Sequence, residues 1–471
     1  MSVTSVALGA AVLASVAGTG CVRYRAQPLL AEQVMADYAA RSLDDPGLGA
    51  FFDMHHVTGG WPRRAWDLDS LTLAAFYFSP ALVQARAEWG TAQAGLRTAG
   101  QRPNPTLTAS PQYNTTTPVP SPWIMALNLD VPFETAGKRG HRLAQAAHLA
   151  NAARWNLAAT AWQVRSRLRR ALVDLAAASE QERLLAAQQS AQEQHVRLLE
   201  AQLAAGAIPP AEVTRERIAL DTTRLTTLDA KRQRAESRVA LAEAIGVPVG
   251  ALEGVELSFA GLDRVPPDVD APAARRQALL HRADVLAALS EYAASEAALR
   301  LEVARQYPDL RLHPGYEFDQ GDNHWGVGLS LELPVLNQNQ GPIAAAEARR
   351  AACAANFNAL QARVVAAIER SVAAYQVTLE KSATADSLLA HLERQERVLR
   401  GRFAAGDVSR SEVVAGQVEL AAARLARADA VAKAHQTLAL LEEALQGPLP
   451  SSADALPLLA EPGTPPAPPT P

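Results

Sequence analysis

The sequence predicts a mainly α-helical protein with a transmembrane β part, built from two helix–strand–strand–helix–helix repeats. Three observations support this fold class. Aromatic residues make up only 5% of the 471 residues, and alanine is abundant among interspersed charges, which is typical of long helices. Short segments with strand periodicity precede very long helical runs. This order of elements occurs twice along the chain.

The join between strand and helix is clearest in the second half of the chain. From Val327 to Leu333, apolar side chains alternate with small or polar ones, the period of a strand with one apolar face. Pro334 ends the strand because proline has no N–H to donate. The sequence after Gly341 is rich in Ala, Glu and Arg, which predicts one long helix. Residues 127–140 contain the equivalent join in the first half.

The two halves of the chain are related by an internal duplication. Residues 282–316 align without a gap on residues 79–113. Residues 403–413 align on residues 203–213, and both segments contain Ala-Ala-Gly followed by Glu-Val. Repetition in the same order over most of the chain indicates two copies of one structural unit.

The duplication sets the predicted domain boundaries. The first repeat is assigned to residues 67–246 and the second to residues 275–447. Residues 247–274 between them are rich in Gly and Pro and are interpreted as a linker.

The first helix of the first repeat is predicted to run from Leu68 to Arg102, because its apolar residues recur at helical spacing. Asp67 or Asp69 suits the N-cap position, where a carboxylate accepts from free backbone N–H groups. Pro103 is expected to end the helix.

The two ends of the chain have different compositions from the repeats. Residues 1–21 contain an uncharged apolar run ending at Cys21, which predicts an export leader with Cys21 as the lipidated residue. A signal peptide without lipidation is the alternative. Residues 22–66 are interpreted as a lead-in segment that packs on the outside of a larger body. Residues 448–471 are Pro-rich and are predicted to be disordered.

The four predicted strands have the length that crosses a bilayer obliquely, about ten residues. Aromatic rings that favour the membrane interface lie near their loop ends. These rings are Tyr113, Trp123, Tyr316 and Trp325. Four strands cannot close a barrel, and an open sheet edge is not tolerated in lipid. Three copies of the chain would supply twelve strands, an even number within the known range.

The charges and polar clusters of the sequence argue against several other functions. The net charge of −4 predicts no basic surface, so nucleic acid is not expected as a partner. His141 and His148 lie seven residues apart on a helix and are interpreted as solvated side chains. Asp319, Asp322 and His324 are assigned to a solvated external loop. With no nucleophile–base constellation or phosphate loop in the sequence, we expect no enzyme activity, no metal centre and no cofactor.

Over residues 67–447 the sequence resembles the TolC-type outer-membrane efflux proteins. The duplicated Ala-Gly turn, the Pro105 and Pro308 strand entries, and Leu-Pro-Val-Leu-Asn-Gln-Asn-Gln-Gly at residues 333–341 carry the resemblance. The last motif resembles the heavy-metal cation efflux branch. The resemblance implies a homotrimer in the outer membrane of a Gram-negative bacterium, with a twelve-stranded β-barrel in the lipid and a long α-barrel in the periplasm. It also implies two partners, a periplasmic adaptor protein and an inner-membrane transporter.

The resemblance also assigns roles to the two helix–helix turns. Gly206, Ala207 and Ile208 in the first repeat, and Gly406, Asp407 and Val408 in the second, would form the tip that contacts the adaptor. A plain helix–helix turn with a glycine cap is the alternative for these six residues.

Four charged residues beside the turns are implied gate candidates. Glu212 and Glu412 fall at the acidic position of the constriction, and Arg410 or Arg215 would pair with them. The alternative for both glutamates is a carboxylate in the first turn of a helix, where the helix dipole favours it.

The leading functional interpretation is the exit duct of a tripartite efflux system, a passive conduit for small molecules or metal cations. A type I secretion duct for proteins would share this fold. A periplasmic coiled-coil adaptor or scaffold would also have long Ala-rich helices, but it would not need four strands that alternate polar and apolar residues.

Overall fold

The computed structural model describes residues 24–55, 60–115, 119–262, 265 and 271–447. The predicted leader with Cys21 and the predicted disordered tail at residues 448–471 both lie outside this part of the chain.

The residues up to Ser42 form one unit, and the rest of the chain forms a second. Helix α1 (Ala31–Ala39) is the described helix of the first unit, and none of its residues is buried. The described lead-in residues of the second unit contain helix α2 (Pro46–Met54) and strand β1 (Ala65–Trp66).

The two repeats have the same order of elements in the structure. The first repeat contains α3 (Leu68–Phe78), α4 (Pro80–Gly100), β2 (Thr106–Tyr113), β3 (Trp123–Phe133), α5 (Lys138–Ala204) and α6 (Pro210–Ile245). The linker region contains a short 3-10 helix (Val249–Leu252) and β4 (Glu256–Leu257), which pairs in parallel with β1. The second part contains α7 (Ala271–His281), α8 (Ala283–Ala304), β5 (Leu310–Asp319), β6 (Asp322–Leu331), α9 (Gln340–Ala404) and α10 (Arg410–Leu445).

The single helix predicted from Leu68 to Arg102 is wrong, because the structure breaks it into α3 and α4. The break falls at Ser79, which has an extended backbone (ψ 117°). Ser79 precedes Pro80, and the proline ring disfavours the helical conformation of the residue before it. The predicted N-cap is confirmed: the Ser70 N–H donates to Asp67 Oδ1 at 2.9 Å.

The helices predicted to be long are long in the structure. Helix α5 has 67 residues and α9 has 65, so at ~1.5 Å per residue each extends for about 100 Å. Helices α6 and α10 fold back on them as antiparallel partners. Helix α5 also packs against α4, α8 and α10, so it touches both repeats. Among the described residues, no helix is both long enough and apolar enough to span a membrane.

Each repeat has its own hydrophobic core, which packs against the middle of its long helix. The first core contains Trp66 and Leu71, which pack with Leu168 of α5 and Leu241 of α6. The lead-in residues Leu48 and Phe52 are buried in the same cluster. The second core contains Ile368 and Tyr375 of α9 and Leu438 and Leu441 of α10.

A buried ion pair joins the two repeats. Arg165 and Arg169 lie one turn apart on α5, and both contact the carboxylate of Glu442 on α10. The Arg165–Glu442 distance is 3.5 Å, and the side chains of these two residues are only 2% and 3% exposed. Burial lowers the pKa of Arg165, and the neighbouring Glu442 carboxylate opposes that shift. The contact therefore ties the first repeat to the second inside the protein.

The four long strands form one antiparallel sheet in the order β2-β3-β5-β6. Each repeat contributes one hairpin, and β3 pairs with β5 where the two hairpins meet. Strands β2 and β6 are the outer strands. Among the described residues, neither has a strand partner on its outer side.

The register of the sheet separates most apolar side chains from most polar ones, with Ile124 on the polar face and Asn323 on the apolar face as exceptions. Directly paired residues of an antiparallel sheet lie on the same face, so the register assigns every strand residue to one of two faces. The apolar face holds aliphatic and aromatic residues from all four strands, such as Leu107, Leu129, Leu312 and Val327. The polar face holds Thr106, Thr108, Asn128, Asp130, Arg311, His313, Glu317, Asp319, Asp322, His324 and Ser330.

The predicted aromatic rings lie on the apolar face in cross-strand pairs. Tyr113 and Trp123 have ring centroids 5.0 Å apart, and Tyr316 and Trp325 have centroids 4.7 Å apart. Both pairs lie toward the hairpin ends of their strands. Asp319 and Asp322, predicted in a loop, instead pair with each other at the ends of β5 and β6.

We predict that Glu442→Gln destabilises the protein by about 3–5 kcal/mol, because it leaves two buried guanidinium groups without their carboxylate. The measurement is the thermal unfolding of the detergent-purified variant followed by circular dichroism.

Glu443→Gln is the matched control. Glu443 contacts Arg170 at 3.4 Å, but both side chains are about two-fifths exposed, and exposed ion pairs contribute about 0–1 kcal/mol. Equal losses in the two variants would show that the buried contact does not hold the repeats together.

Candidate functional site

The first candidate site is the turn between α5 and α6. Gly206 has φ +71°, a left-handed conformation that glycine adopts without steric cost. Its N–H donates to the Leu203 carbonyl at 2.9 Å, and the Ala207 N–H donates to the Gln202 carbonyl at 2.9 Å. These two bonds form a Schellman motif, which satisfies the last carbonyl groups of α5.

The turn between α9 and α10 has the same geometry. Gly406 has φ +84°. Its N–H donates to the Phe403 carbonyl at 3.0 Å, and the Asp407 N–H donates to the Arg402 carbonyl at 2.9 Å. The two predicted tips are therefore the same backbone structure, built twice.

The two turns differ where the second helix begins. Pro209 occupies the N-cap position of α6 and provides no side-chain hydrogen bond. Ser409 occupies the N-cap position of α10 and forms a capping box with Glu412. The Ser409 N–H donates to the Glu412 carboxylate at 3.2 Å, and the Glu412 N–H donates to Ser409 Oγ at 3.3 Å.

The capping box has an electrostatic consequence. The backbone N–H of Ser409, and then its hydroxyl, lower the pKa of the Glu412 carboxyl. Glu412 lies in the first turn of α10, which is the alternative that the sequence left open, and there it also forms the capping box. Glu212 has no equivalent contact because Pro209 has no N–H. The two glutamates are thus exposed at matching positions with different local bonding.

The structure does not pair the predicted arginines with these glutamates. Arg215 and Arg410 are both exposed. In the described part of the chain, neither forms an ion pair with Glu212 or Glu412. The gate and adaptor-contact roles of the candidate residues stay predictions.

Apolar side chains anchor both turns. Val213 and Val413, one residue after each glutamate, are 2% and 7% exposed. Ile208 and Val408 in the turns are half-buried. Arg217 of α6 binds Glu200 of α5 at 2.5 Å below the first turn. The hairpins are therefore held beneath the tip, while Gly206, Ala207, Gly406 and Asp407 remain exposed.

Sequence reasoning missed an exposed apolar stripe on α6. Ile218, Leu225, Leu228 and Val239 are each more than half exposed. Three of them are separated by multiples of seven residues, the spacing of a coiled-coil contact face. Helix α9 also exposes Val377, Leu388 and Val398. The heptad spacing was the signal that would have found the α6 stripe.

Within the described residues, no three His, Cys, Asp or Glu side chains are placed to hold a metal ion. Cys353 is a free, half-buried thiol.

The sequence of this chain matches a protein family and a characterised relative. The profile of the family described as "Outer membrane efflux protein" matches residues 75–247 and 274–447. The chain is 25% identical over 265 residues to the cobalt-zinc-cadmium resistance protein CzcC of Cupriavidus metallidurans. That match covers 55% of this chain and 61% of CzcC, so the chain spans less than two thirds of this relative.

Solved structures share the fold. The outer membrane protein VceC from Vibrio cholerae superposes with a TM-score of 0.66 at 22% identity, over 81% of this chain and 96% of VceC. The outer-membrane channel OprN superposes with a TM-score of 0.67 at 17% identity, over 91% of this chain and 98% of OprN.

The sheet, the long helices and these matches define an outer-membrane channel fold. The chain belongs to the outer membrane efflux protein family and is an outer-membrane protein. The family resemblance, the mainly α fold class with two repeats and a β part, and the outer-membrane localisation predicted from the sequence are confirmed. A periplasmic adaptor, which belongs to another class of protein, is thereby ruled out.

Proposed function

We propose that this chain is the outer-membrane exit duct of a tripartite efflux system. It is a passive conduit for metal cations or other small molecules, driven by an inner-membrane transporter. The observation that carries the proposal is the single sheet with one apolar face, one polar face and two unpaired outer strands. The proposed role requires neither catalysis nor a cofactor.

The sheet supports a barrel shared between copies of the chain. Unpaired backbone N–H and C=O groups are costly in lipid, so β2 and β6 need strand partners. Strand β6 of one copy pairing with β2 of the next supplies them, and three copies close a twelve-stranded barrel. The apolar face then meets lipid and the polar face lines the lumen.

The long helices support a tube continuous with that barrel. The exposed apolar stripe of α6 and the exposed Val377, Leu388 and Val398 of α9 lie on helices of different repeats. In a homotrimer, α6 of one copy covers α9 of the next and removes both apolar surfaces from water. The helices extend for about 100 Å at ~1.5 Å per residue, which carries the lumen into the periplasm.

The tips of the hairpins are the proposed contact with the periplasmic adaptor. The proposed contact residues are Gly206, Ala207 and Ile208 of the first turn and Gly406, Asp407 and Val408 of the second. Gly206, Ala207, Gly406 and Asp407 are exposed, and their small or polar side chains let another helical hairpin approach closely. Glu212 and Glu412 are the proposed acidic ring of the gate, and Arg410 or Arg215 of a neighbouring copy are the proposed partners of these glutamates.

The charges of the sheet support a cation as the substrate. Its polar face carries the carboxylates of Asp130, Glu317, Asp319 and Asp322 and one guanidinium, that of Arg311. Three copies would give a lumen with negative potential, which raises the local concentration of cations. CzcC, named for cobalt, zinc and cadmium resistance, is a relative of this chain, which favours metal cations over a protein substrate.

The termini complete the proposal. In the leader at residues 1–21, cleavage before Cys21 makes Cys21 the lipid-anchored first residue of the mature protein. The proposed domains are the lead-in at residues 22–66, the repeats at residues 67–246 and 275–447, and the linker at residues 247–274.

We predict that Val327→Arg reduces the membrane-inserted protein at least tenfold. Val327 is 73% exposed on the apolar face of β6, and an arginine facing lipid near the bilayer midplane costs about 2–4 kcal/mol. The measurement is the fraction of the chain recovered in outer-membrane fractions.

Gly326→Arg is the matched control. Gly326 is the preceding residue of β6, lies on the polar face and has open space around its Cβ position. The proposal requires this variant to insert normally. Equal insertion of both arginine variants would contradict the assignment of the two faces.

The gate assignment predicts that Glu212→Lys lowers the cation preference of single channels in planar bilayers at least twofold. Glu212 is a better test residue than Glu412, because replacing Glu212 leaves the capping box of Ser409 and Glu412 intact. Glu243→Lys, about 46 Å away on the same helix at ~1.5 Å per residue, controls for the change in net charge. Unchanged selectivity in Glu212→Lys would show that this ring does not control permeation.

A further inference from the structure

A groove lies between α7 and α9, away from the sheet and the hairpin tips. We name it the α7–α9 groove. It has a volume of about 580 Å³, within the size range of sites that bind small ligands or short peptide segments. Its walls include Arg275, Arg276, Leu279, Ile368, Val372 and Ala373.

The floor of the groove is apolar and its rim is positive. Leu279 and Val372 are partly buried at its base, beside the fully buried Ile368. On the rim, Arg275 is already paired with Glu369 at 3.0 Å. Arg276 is exposed and forms no ion pair with any described residue. An apolar occupant with a carboxylate at its flank would match both features.

The end of α10 lies beside this groove. Leu445 belongs to the same buried cluster as Ile368. The Ala283 N–H, just beyond α7, donates to Gln446 Oε1 at 2.9 Å. The described chain therefore reaches Gly447 next to the C-terminal end of α7, one of the two helices that form the groove.

The sequence that follows has the complementary chemistry. Residues 455–460 read Ala-Leu-Pro-Leu-Leu-Ala, and Asp454 and Glu461 flank them. Residues 448–471 contain no Lys or Arg. This is a short apolar segment between two carboxylates. The groove has an apolar floor, and the guanidinium of Arg276 on its rim pairs with no described residue.

We propose that residues 455–460 occupy the α7–α9 groove of their own chain, with Asp454 or Glu461 bound to Arg276. The occupied groove fixes α7, which spans the start of the second repeat, against α9. This inference does not depend on the proposed transport function.

The connecting chain is long enough for this placement. Leu279 and Arg275 precede Ala283 by four and eight residues, which is about 6 and 12 Å along a helix. The seven residues 448–454 extend up to about 23 Å. Residues 455–460 therefore reach any part of the groove from Gly447.

The test is a thiol cross-link in the full-length chain in a Cys353→Ala background. Ala373→Cys places a thiol in the groove and Ala455→Cys places one in the proposed occupant, while both leave the leucines unchanged. After treatment with a short bismaleimide, we expect a cross-link within one chain in more than half of the molecules, detected by peptide mass spectrometry. The Cys353→Ala parent contains neither introduced cysteine, so any cross-link that it forms comes from Cys21.

Ala374→Cys with Ala455→Cys is the matched control. Ala374 is the next residue of α9, is exposed and does not line the groove. The proposal requires at least a fivefold lower yield for this pair. Equal yields would overturn it, because they would indicate random encounters. A cross-link that forms only between two co-expressed single-cysteine chains would also overturn it, in favour of a second copy as the occupant.

A charge variant tests the rim contact. Arg276→Glu in the Ala373→Cys and Ala455→Cys chain is expected to lower the cross-link yield at least threefold. Arg363→Glu, an exposed site on α9 outside the groove, is expected to leave it unchanged. An unaltered yield in Arg276→Glu would contradict the carboxylate contact.

Discussion

The two unpaired outer strands of the sheet constrain the rest of this structure. A four-stranded sheet with an apolar face is suited to lipid, yet lipid offers no hydrogen-bond partner to the outer backbone groups of β2 and β6. Other copies of the chain can satisfy both edges at once, since one copy's β6 and another's β2 present complementary free edges. The same closed arrangement would place the polar face around a lumen and the α6 and α9 apolar surfaces against each other. The proposed oligomerisation and the proposed duct would therefore follow from one requirement, the pairing of these two edges.

The internal duplication gives each copy two hairpins of nearly identical backbone but different chemistry. Both turns end in the same Schellman motif at Gly206 and Gly406. Only the second begins its returning helix with a capping box, formed by Ser409 and Glu412. The buried contact of Arg165 and Arg169 with Glu442 joins the repeats far along the chain from these tips. The helical hairpins of the two repeats are thus joined at this buried contact. Their two turns, at Gly206 and Gly406, present different surfaces.

The sequence predicted the elements that local patterns specify. Alternation predicted the strands and their two faces, and the repeated Ala-Ala-Gly predicted both turns. The break at Ser79 was missed although Pro80 signalled it, because the apolar spacing continues across the proline. The capping box of Ser409 and Glu412 was also missed, although a serine three residues before a glutamate is its sequence signature. The contact of Arg165 with Glu442 had no local signal, because charged residues in an amphipathic helix ordinarily face solvent. The proposed ion pairs at the gate would form between neighbouring copies, so neither one sequence nor one chain contains them.

The number of copies in the detergent-extracted protein tests the central claim most directly. Native mass spectrometry of the full-length chain, released from outer-membrane fractions in a mild detergent, counts the copies in the intact assembly. The account predicts three copies, because three four-stranded sheets are needed for twelve strands. A chain that remains in the membrane and is released as a single copy would contradict it, since its two outer strands would then be stable in lipid without partners.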